Sequence, residues 1–373
     1  MYRVLILCEY ASLNGGERSL LAVVGQLADH GFQPTAAAPP DGPLAEALRD
    51  AEVPLVPLVR SDSESQAARR DRLRTLLVEH APDVVHANSL SMSRLSGPVT
   101  NDLQLPSVGH LRDIMRLSGQ AVRDVNQHTR LLAVSAAVKR WYVDAGVTGN
   151  RIAILHNGVD LQRFRPRPKT GYLSRELQLP SRSHLVVSIG QIGMRKGLDL
   201  LVTAASQVIR HRQDVHFLHV GLRYSEKQEA IEFERRVRHT SGELARHFHW
   251  LGLRDDVPSI MNEASLVVHT ARQEPLGRVL LESAAAATPV VATDVGGTAE
   301  IFPRGCQAAR LVPPEQPDAL AAAILQILAD EELQRRMSAA GRCLAEERFD
   351  AKQAAASLAR HYEAVVESHK AGK

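Results

Sequence analysis

The segment 263–302 constrains the fold more than any other part of the sequence. Two short apolar runs rich in β-branched residues, Leu266–His269 and Pro289–Thr293, flank the helix-forming stretch GRVLLESAAAA. Such runs are typical of buried strands, and two parallel strands need a crossover, usually a helix, between them. The segment therefore predicts a β-α-β unit.

Two glutamates lie within this unit, Glu274 in the predicted strand-to-helix loop and Glu282 inside the helix. At the helix start, the backbone N–H groups of Leu276, Gly277 and Arg278 suit an anion, because these donors lack intrahelical partners and the helix dipole is positive there. A sugar near Glu274, a diphosphate at the amides and a ribose at Glu282 would describe a nucleotide-sugar site. In isolation, both glutamates could equally be solvated charges, the usual state of Glu on α/β helices.

Strand-like apolar runs alternate with helical segments along the chain in two series. The first comprises VLILC, TAAA, VPLVPL, DVVHA, SVGHL and LLAVS, and the second HLVVSIG, VHFLHVG, LVVHT and PVVAT. This alternation predicts an α/β protein with two doubly wound parallel sheets. A length of 373 residues also favours two domains, because it exceeds the size at which a single core stops growing.

We predict the linker between the domains at residues 165–182, because the prolines of this segment and Gly171 interrupt both helices and strands. The two domains would then be residues 1–167 and 168–349. Ligands of such sheets bind beyond the carboxyl ends of the strands, so two facing sheets would enclose a central cleft.

Charge and cysteine content exclude several classes of function. The formal net charge is only +3, and neither half of the chain carries the basic footprint of a nucleic-acid-binding protein. Cys8, Cys306 and Cys343 show no C-x-x-C spacing, which argues against a zinc site or a disulfide framework. We predict that they are buried thiols in a reducing compartment.

No segment approaches the roughly 18 uninterrupted apolar residues that indicate a membrane span. The first apolar run contains only five residues before Glu9, too few for the core of a signal peptide. We therefore expect a cytoplasmic protein, with peripheral contact to the inner face of the membrane as an alternative. The arginine-rich run Arg69–Arg74 would make that contact, although its acidic neighbours favour a solvated helix face.

Further polar motifs follow the predicted strands. In SLNGGERSL, Gly15 and Gly16 follow Asn14 and open a helix, where a missing side chain lets the backbone approach a phosphate closely. The motif is not G-x-G-x-x-G, which counts against a dinucleotide oxidoreductase. The other polar residues placed at strand ends or in tight turns are His86, Asn88, His110 and Asn157. Each has a structural alternative, as a satisfied buried residue or, for Asn157-Gly158, as a simple turn.

Together these motifs resemble those of the retaining glycosyltransferases of GT-B architecture, family 4, also described as glycosyl transferases group 1. The resemblance spreads over nearly the whole chain. Glu274 and Glu282 are similar to the family's E-x7-E signature, which this chain otherwise departs from at Leu276, Ser283 and Thr288. None of these departures removes a polar contact, so they bear on the shape of the sugar pocket.

Two further stretches are similar to family motifs. SIGQIGMRKG carries Lys196 of the G-R-x-x-x-x-K-G signature, but has Gln191 where the family usually has Arg. Arg195 is the best candidate to supply the missing cation. HWLGLRDDVPSIMNEAS resembles the loop near the nucleobase, here at Leu253 and Arg254. The resemblance also implies a terminal helix, residues 350–373, that crosses back onto the first domain.

The resemblance implies a role for each candidate residue. Glu274 and His110 would act on the transferred sugar as catalytic residues. The donor-binding residues would be Gly15, Gly16, Gln191, Arg195, Lys196, Leu253, Arg254, Leu276, Gly277, Arg278, Val279 and Glu282. The residues on the acceptor side would be Asn14, His86, Asn88 and Asn157.

The function implied is transfer of a sugar from a UDP-, GDP- or other nucleoside-diphosphate donor to a sugar, lipid or small-molecule acceptor, with retention of configuration. We expect no metal and no cofactor, because protein cations and helix amides would stabilise the leaving diphosphate. Two alternatives stay open: a nucleotide-sugar epimerase or hydrolase of the same architecture, and a non-catalytic subunit that binds sugar nucleotides. Retention of Glu274, Lys196 and Glu282 together argues against the second.

Overall fold

The computed structural model describes residues 1–59 and 64–371 and divides into two compact units. The first unit comprises Met1–Gly158 and Phe349–Lys373, and the second comprises Val159–Arg348. The division after residue 158 precedes the expected boundary at 167, and the physical reason lies in the segment 165–182. Glu263 holds this segment on the second unit, since its Oε1 accepts hydrogen bonds from Thr170 N at 2.6 Å and Thr170 Oγ1 at 2.7 Å.

Within the described residues, the first unit contains a seven-stranded parallel sheet with strand order β3-β2-β1-β4-β5-β6-β7. Its strands are β1 (Tyr2–Leu7), β2 (Phe32–Ala38), β3 (Leu55–Pro57), β4 (Val84–Ala87), β5 (Ser107–Leu111), β6 (Arg130–Ala133) and β7 (Ile152–Ile154). Its helices are α1 (Gly15–Val24), α2 (Pro43–Asp50), α3 (Gln66–His80), α4 (Leu90–Asp102), α5 (Gly119–Val125) and α6 (Ala136–Asp144).

The second unit contains a six-stranded parallel sheet with order β10-β9-β8-β11-β12-β13. Its strands are β8 (His184–Ile189), β9 (Val215–Val220), β10 (Phe248–Gly252), β11 (Leu266–His269), β12 (Val290–Thr293) and β13 (Ala309–Val312). The α-helices are α7 (Tyr172–Glu176), α8 (Leu198–His211), α9 (Gln228–Gly242), α10 (Val257–Glu263), α11 (Arg278–Ala285), α12 (Thr298–Ile301), α13 (Pro317–Ala329) and α14 (Glu331–Arg348).

The two predicted parallel sheets are confirmed, and each apolar run of the two series contains a strand. The strands β7, β10 and β13 did not appear in the predicted series. All three lie at the edge of a sheet, where one side of a strand has no neighbour and a short or interrupted apolar run suffices. His249 in β10 and Arg310 in β13 accordingly interrupt the apolar pattern and keep part of their surface exposed.

The last helix, α15 (Ala351–Ala371), packs into the core of the first unit, as the resemblance implied. Leu358, Tyr362 and Val365 are at most 2% exposed and pack with residues of β1, β2 and α1. Residues 372 and 373 of the predicted helix lie outside the described part of the chain.

The prediction of three buried thiols is wrong for one of them. Cys8 is buried and Cys306 is half-buried, but Cys343 is exposed on α14. The outer face of this helix is largely charged, and Cys343 Sγ donates a hydrogen bond to the Glu347 carboxylate at 3.1 Å.

The described helices include none that combines the length and apolar character needed to cross a membrane.

Candidate functional site

The central feature of the second unit is the edge at which β8, β11 and β12 end. These three strands are neighbours in the parallel sheet, so the loops that follow them lie side by side. The loop after β8 carries Gln191, Arg195 and Lys196, and the loop after β11 carries Glu274. The sheet topology thus brings together the residues of two separate sequence motifs.

Hydrogen bonds to backbone carbonyls fix the loop that carries Lys196 against the loop that carries Glu274. Thr270 Oγ1 donates to the Lys196 carbonyl at 3.0 Å, and the Arg272 amide donates to the Arg195 carbonyl at 2.8 Å. Arg195 Nη1 also donates to the Gln273 carbonyl at 3.2 Å. The side chains of Arg195 and Lys196 are therefore carried on a backbone that cannot move independently of Glu274.

A glycine pair after β12 holds the other side of the Glu274 loop. The Gly297 amide donates to the Glu274 carbonyl at 2.9 Å. Gly296 has a φ of +54°, and a Cβ at this position would lie only 2.0 Å from the same carbonyl oxygen. A side chain at Gly296 is thus excluded both by backbone conformation and by the close approach to Glu274.

Glu274 is a buried carboxylate with two hydrogen-bond donors. Its side chain is 7% exposed, and its Oε2 accepts from Lys196 Nζ at 2.5 Å and from His269 Nε2 at 2.8 Å. Burial alone would raise the pKa of Glu274, but the Lys196 ammonium and the His269 hydrogen bond outweigh it and hold the pKa well below the usual value. Burial and the Lys196 charge lower the pKa of His269, so a neutral imidazole donates to an ionised carboxylate.

The remaining donor-side candidates lie on and around α11. Glu282 is 7% exposed, and its Oε1 accepts from Arg278 Nη2 one turn earlier at 2.6 Å. Leu276 is buried and Gly277 immediately precedes the helix, with Val279 half-buried in its first turn. As predicted, Glu274 lies in the strand-to-helix loop and Glu282 lies inside the helix.

Arg254 is held between two carboxylates in the loop after β10. Its guanidinium donates to Asp256 at 2.8 and 2.9 Å and to Glu176 at 2.6 and 3.1 Å. The hydrogen bond from Arg254 is the main cause that lowers the pKa of Asp256 to about 2. Leu253 beside it is 61% exposed, so this loop presents an apolar side chain next to a network of ion pairs.

In the first unit, the Arg112 side chain contacts Asn88, Asn157 and Gly16, which lie in three separate segments of the chain. The sequence analysis did not identify Arg112. Its Nε donates to the Asn88 carbonyl at 3.0 Å, its Nη2 to Asn88 Oδ1 at 2.9 Å and its Nη1 to Asn157 Oδ1 at 3.0 Å. Gly16 lies beneath it, and a Cβ there would come within 3.2 Å of Arg112 Cδ. Asn14 and Gly15 precede Gly16 at the start of α1, and Asn14 Nδ2 donates to Ser12 Oγ at 3.0 Å.

A chain of buried hydrogen bonds joins Tyr362, His86 and His110. The Tyr362 hydroxyl lies 2.6 Å from His86 Nδ1, and His86 Nε2 lies 3.2 Å from His110 Nδ1. The three side chains are at most 2% exposed. Burial, followed by the Arg112 charge, lowers the pKa of His86 to about 3 and that of His110 well below its usual value. Both imidazoles are therefore neutral, and each carries one proton.

The direction of these hydrogen bonds follows from the number of buried groups left unsatisfied. Among the described residues, His86 Nδ1 is the one hydrogen-bond partner of the Tyr362 hydroxyl. If Tyr362 accepted, its own proton and the His110 Nε2 lone pair would both be buried without a partner, whereas with Tyr362 as the donor only the His110 Nε2–H is left. Tyr362 therefore donates to His86 Nδ1, and His86 Nε2–H donates to His110 Nδ1. His110 then carries its proton on Nε2, which makes it a hydrogen-bond donor and not a base.

Two buried donors are left at this edge of the first sheet. His110 Nε2 and Asn88 Nδ2 have no hydrogen-bond partner within the described residues. The Asn88 amide is oriented by Arg112, which occupies Oδ1, just as the His110 ring is oriented by His86. Unsatisfied buried donors are rare in folded proteins and are found at sites that bind a ligand or water.

His269, Arg112 and Tyr362 are the residues that sequence reasoning missed. His269 is the last residue of β11 and Arg112 directly follows β5, so both occupy carboxyl ends of strands, where ligand sites are expected. That positional signal could have identified them. No comparable signal marks Tyr362, which lies 276 residues from His86.

The described residues contain no group of three or more His, Cys, Asp or Glu side chains arranged to hold a metal ion.

Comparison with known families identifies two matches. Residues 13–163 match the family described as Glycosyltransferase Family 4, and residues 172–343 match Glycosyl transferases group 1. The phosphatidyl-myo-inositol mannosyltransferase of Mycobacterium leprae is 30% identical over 319 residues, which cover 81% of this chain and 78% of that protein. The alpha-maltose-1-phosphate synthase of Mycobacterium tuberculosis is 32% identical over 228 residues, covering 57% of each chain.

Solved structures share the fold. Anabaena HepE, solved in complex with UDP-glucose, superposes with a TM-score of 0.87 at 22% identity and covers 98% of this chain and 100% of its own. The sucrose-phosphate synthase of Thermosynechococcus elongatus superposes with a TM-score of 0.80 at 19% identity, over 99% and 100% of the two chains.

The depressed pKa of Glu274 predicts an acid-sensitive second unit. A carboxylate whose pKa is lower in the folded state stabilises the fold above its unfolded pKa of about 4.3, and this stabilisation is lost as the pH falls toward the folded value. The unfolding free energy of the wild type should therefore fall more steeply below about pH 5 than that of Glu274→Gln. Urea unfolding followed through Trp250 in a Trp141→Phe background would report on this unit, because the chain has only two tryptophans. Parallel pH profiles would contradict the assigned ion pair.

The hydrogen-bond chain predicts the tautomer of His110. Nitrogen-15 NMR of histidine-labelled protein should show the His110 proton on Nε2, and Tyr362→Phe should release that preference, because the hydroxyl donor is gone. Tyr142→Phe is a matched control. Tyr142 is also fully buried, but its hydroxyl donates to the Asp113 carbonyl at 2.9 Å and takes no part in the hydrogen bonds that join Tyr362, His86 and His110. An Nδ1 proton on His110 in the wild type would show that these hydrogen bonds run in the opposite direction, from His110 to Tyr362.

Proposed function

The chain belongs to the GT-B glycosyltransferases of family 4, and we propose that it transfers a sugar from a nucleoside-diphosphate donor to an acceptor with retention of configuration. The observation that supports this proposal is the cluster of Glu274, Lys196 and His269 at the carboxyl edge of the second sheet. It combines a carboxylate held ionised with Lys196, a cation of the kind that a leaving diphosphate requires.

The proposed reaction is a front-face substitution. The bond between the anomeric carbon and the diphosphate oxygen breaks while the acceptor oxygen bonds to the same face of that carbon. The acceptor's hydroxyl proton passes to the departing diphosphate oxygen. Glu274 binds hydroxyls of the transferred sugar and stabilises the positive charge that develops on the sugar ring. Because Glu274 is held ionised, it can offset that charge without first losing a proton.

Lys196 and Arg195 stabilise the leaving diphosphate. Lys196 is 19% exposed while it pairs with Glu274, so its ammonium can reach a diphosphate oxygen through a small side-chain movement. The Arg195 guanidinium lies on the same fixed loop. These cations supply the charge that Mg²⁺ supplies in other transferases, so turnover should persist in the presence of a chelator.

Glu282 and His110 have supporting roles in this proposal. Glu282 accepts hydrogen bonds from the donor ribose, with Arg278 fixing its position. His110, which carries its proton on Nε2, donates a hydrogen bond to an oxygen of the sugar. The residues Asn14, Asn88 and Asn157 lie on the acceptor side, where Arg112 orients the last two.

The donor and acceptor classes follow from the relatives. Anabaena HepE has been solved with UDP and with UDP-glucose, so a uridine nucleotide is the first donor to test. The phosphatidyl-myo-inositol mannosyltransferases carry a lipid in their name, so a lipid or lipid-like acceptor is the first class to test. Peripheral membrane contact through Arg69–Arg74 belongs to the same proposal, although Arg72 and Arg74 already pair with Glu64 and Asp102.

A panel of nucleotides combined with two variants tests the proposal. UDP, GDP, ADP and dTDP are compared by thermal shift, and the true product stabilises the fold because it binds the folded state alone. Glu274→Gln should bind that nucleotide normally and lose turnover by a factor on the order of 10² or more, since its charge acts mainly in the transition state. Glu282→Ala should instead raise the donor KM. Donor consumption without any acceptor would favour a hydrolase or epimerase.

This chain has Gln191 where the family usually has Arg, and the difference yields a separate prediction about Arg195. If Arg195 supplies the cation that the family places at position 191, Arg195→Ala should weaken nucleoside-diphosphate binding by roughly 1.5–3 kcal/mol, as loss of a charge-assisted hydrogen bond does. Adding Gln191→Arg should restore part of that loss. Calorimetric titration of both variants measures it. Equal affinity of Arg195→Ala and wild type would show that Lys196 and Arg278 suffice.

A further inference from the structure

The first unit contains a polar cavity that none of the candidate catalytic, donor-binding or acceptor-side residues lines. Its volume is about 240 Å³, and its walls come from the ends of β1 and β3 and from the helices α3 and α4. It opens at the same carboxyl edge of the sheet that carries Gly15 and Asn88, where ligands of such sheets bind. The volume lies below the roughly 300–1,000 Å³ typical of pockets for whole drug-sized ligands, so the cavity suits one small group.

Positive charge dominates the walls of this cavity. Arg69, Arg72 and Arg94 line it, against the single carboxylate of Glu9. Arg72 is paired with Glu64 at 2.8 Å on the exposed side. Arg69 and Glu9 also have partners, so the excess charge is concentrated on Arg94.

Arg94 is the arginine that most clearly lacks a protein partner. Its Nε is buried and has no hydrogen-bond partner within the described residues. The neighbouring Arg70 is not available to an anion, because it forms an ion pair with Asp124 at 2.8 Å and donates a hydrogen bond to the Arg94 carbonyl at 3.4 Å. A buried guanidinium N–H without an acceptor is costly, and an anionic oxygen in the cavity would satisfy it.

Part of the cavity lining is apolar. Leu58 and Met92 line the cavity and are 8% and 7% exposed. Methionine adapts its shape to varied apolar groups. A ligand that matches both the charged and the apolar lining carries an anionic group next to a short apolar segment.

We infer that this cavity binds the anionic group of the acceptor, a phosphate ester with an adjacent apolar segment. Guanidinium groups bind phosphate oxygens in a bidentate manner, which a cluster of lysines would not provide. The phosphate ester can belong to a lipid head group or to a soluble metabolite, and the chemistry recognised is the same. Assignment of this ligand as the acceptor rests on the proposed function, whereas binding of the phosphate ester does not.

Three probes separate the contributions of charge and apolar contact. Inorganic phosphate, hexyl phosphate and 1-hexanol are titrated into the full chain by calorimetry. Hexyl phosphate should bind most tightly, inorganic phosphate more weakly, and hexanol without measurable affinity. Failure of hexyl phosphate to bind, or binding no tighter than that of inorganic phosphate, would overturn the inference.

A pair of arginine variants locates the bound probe. Arg94→Met keeps the apolar stem and removes the charge, and it should weaken hexyl phosphate binding roughly tenfold or more. Arg74→Met is the control, because Arg74 lies on α3 but pairs with Asp102 at 2.7 Å and does not line the cavity. Arg94→Lys should bind with intermediate affinity and guards against a folding defect in Arg94→Met. Equal weakening in Arg94→Met and Arg74→Met would overturn the site.

Vesicles distinguish the two sources of the phosphate. Wild type and Arg94→Met are compared on phosphatidylcholine vesicles with and without phosphatidylglycerol. A lipid source predicts that Arg94→Met lowers both vesicle association and hexyl phosphate affinity, and a soluble source that it lowers the second alone. If Arg94→Met lowered vesicle association and left hexyl phosphate affinity unchanged, the arginines would be a membrane-contact surface and the inference would be wrong.

The failure of this inference can be told apart from the failure of the proposed function. UDP affinity should be the same in Arg94→Met and wild type, and hexyl phosphate should not displace UDP. Mutual displacement would mean that the cavity is part of the nucleotide site, against the inference. Hexyl phosphate should compete with the acceptor in the transfer assay, and purely non-competitive inhibition would refute the acceptor assignment. Binding of hexyl phosphate without binding of any nucleotide would refute the proposed function alone.

Discussion

The second unit is organised around one buried carboxylate. Glu274 can remain ionised beneath the surface only because Lys196 and His269 donate to the same oxygen, and taking a charge out of water without such partners costs several kcal/mol. The partners come from different strands, so their loops must be fixed against each other. A hydrogen bond from the Thr270 hydroxyl and backbone hydrogen bonds from Arg272 and Gly297 provide that fixation. The geometry of three loops thus depends on keeping one negative charge in place.

The edge of the first sheet shows the opposite chemistry. Arg112 orients Asn88 directly, and Tyr362 orients His110 through His86. In both cases the hydrogen bond occupies the acceptor atom of the side chain, so the atom left without a partner is an N–H donor. A site built in this way recognises oxygen lone pairs. It does not abstract protons, and this is consistent with a reaction in which the leaving group takes the acceptor's proton.

Sequence reasoning was most successful where the pattern is local. The β-α-β unit around Glu274 could be predicted because strand and helix periodicities are encoded within about forty contiguous residues. The edge strands β7, β10 and β13 could not, since an edge strand can be short or lack a continuous apolar run. The ion pair of Glu274 with Lys196 depends on strand order, which a single sequence does not specify. Tyr362 was beyond reach, because its contact with His86 joins the two ends of the first unit.

The separation of Tyr362 from His86 has a consequence for synthesis of the chain. The first unit is discontinuous and contains α15, whereas the second unit is one uninterrupted segment. Residues 159–348 emerge from the ribosome before α15 does, so the second unit can begin to form its core first. Until α15 emerges, the first sheet exposes the apolar surface that Leu358, Tyr362 and Val365 later cover. Protection of that surface during translation is therefore expected to be the step most dependent on chaperones in the production of this protein.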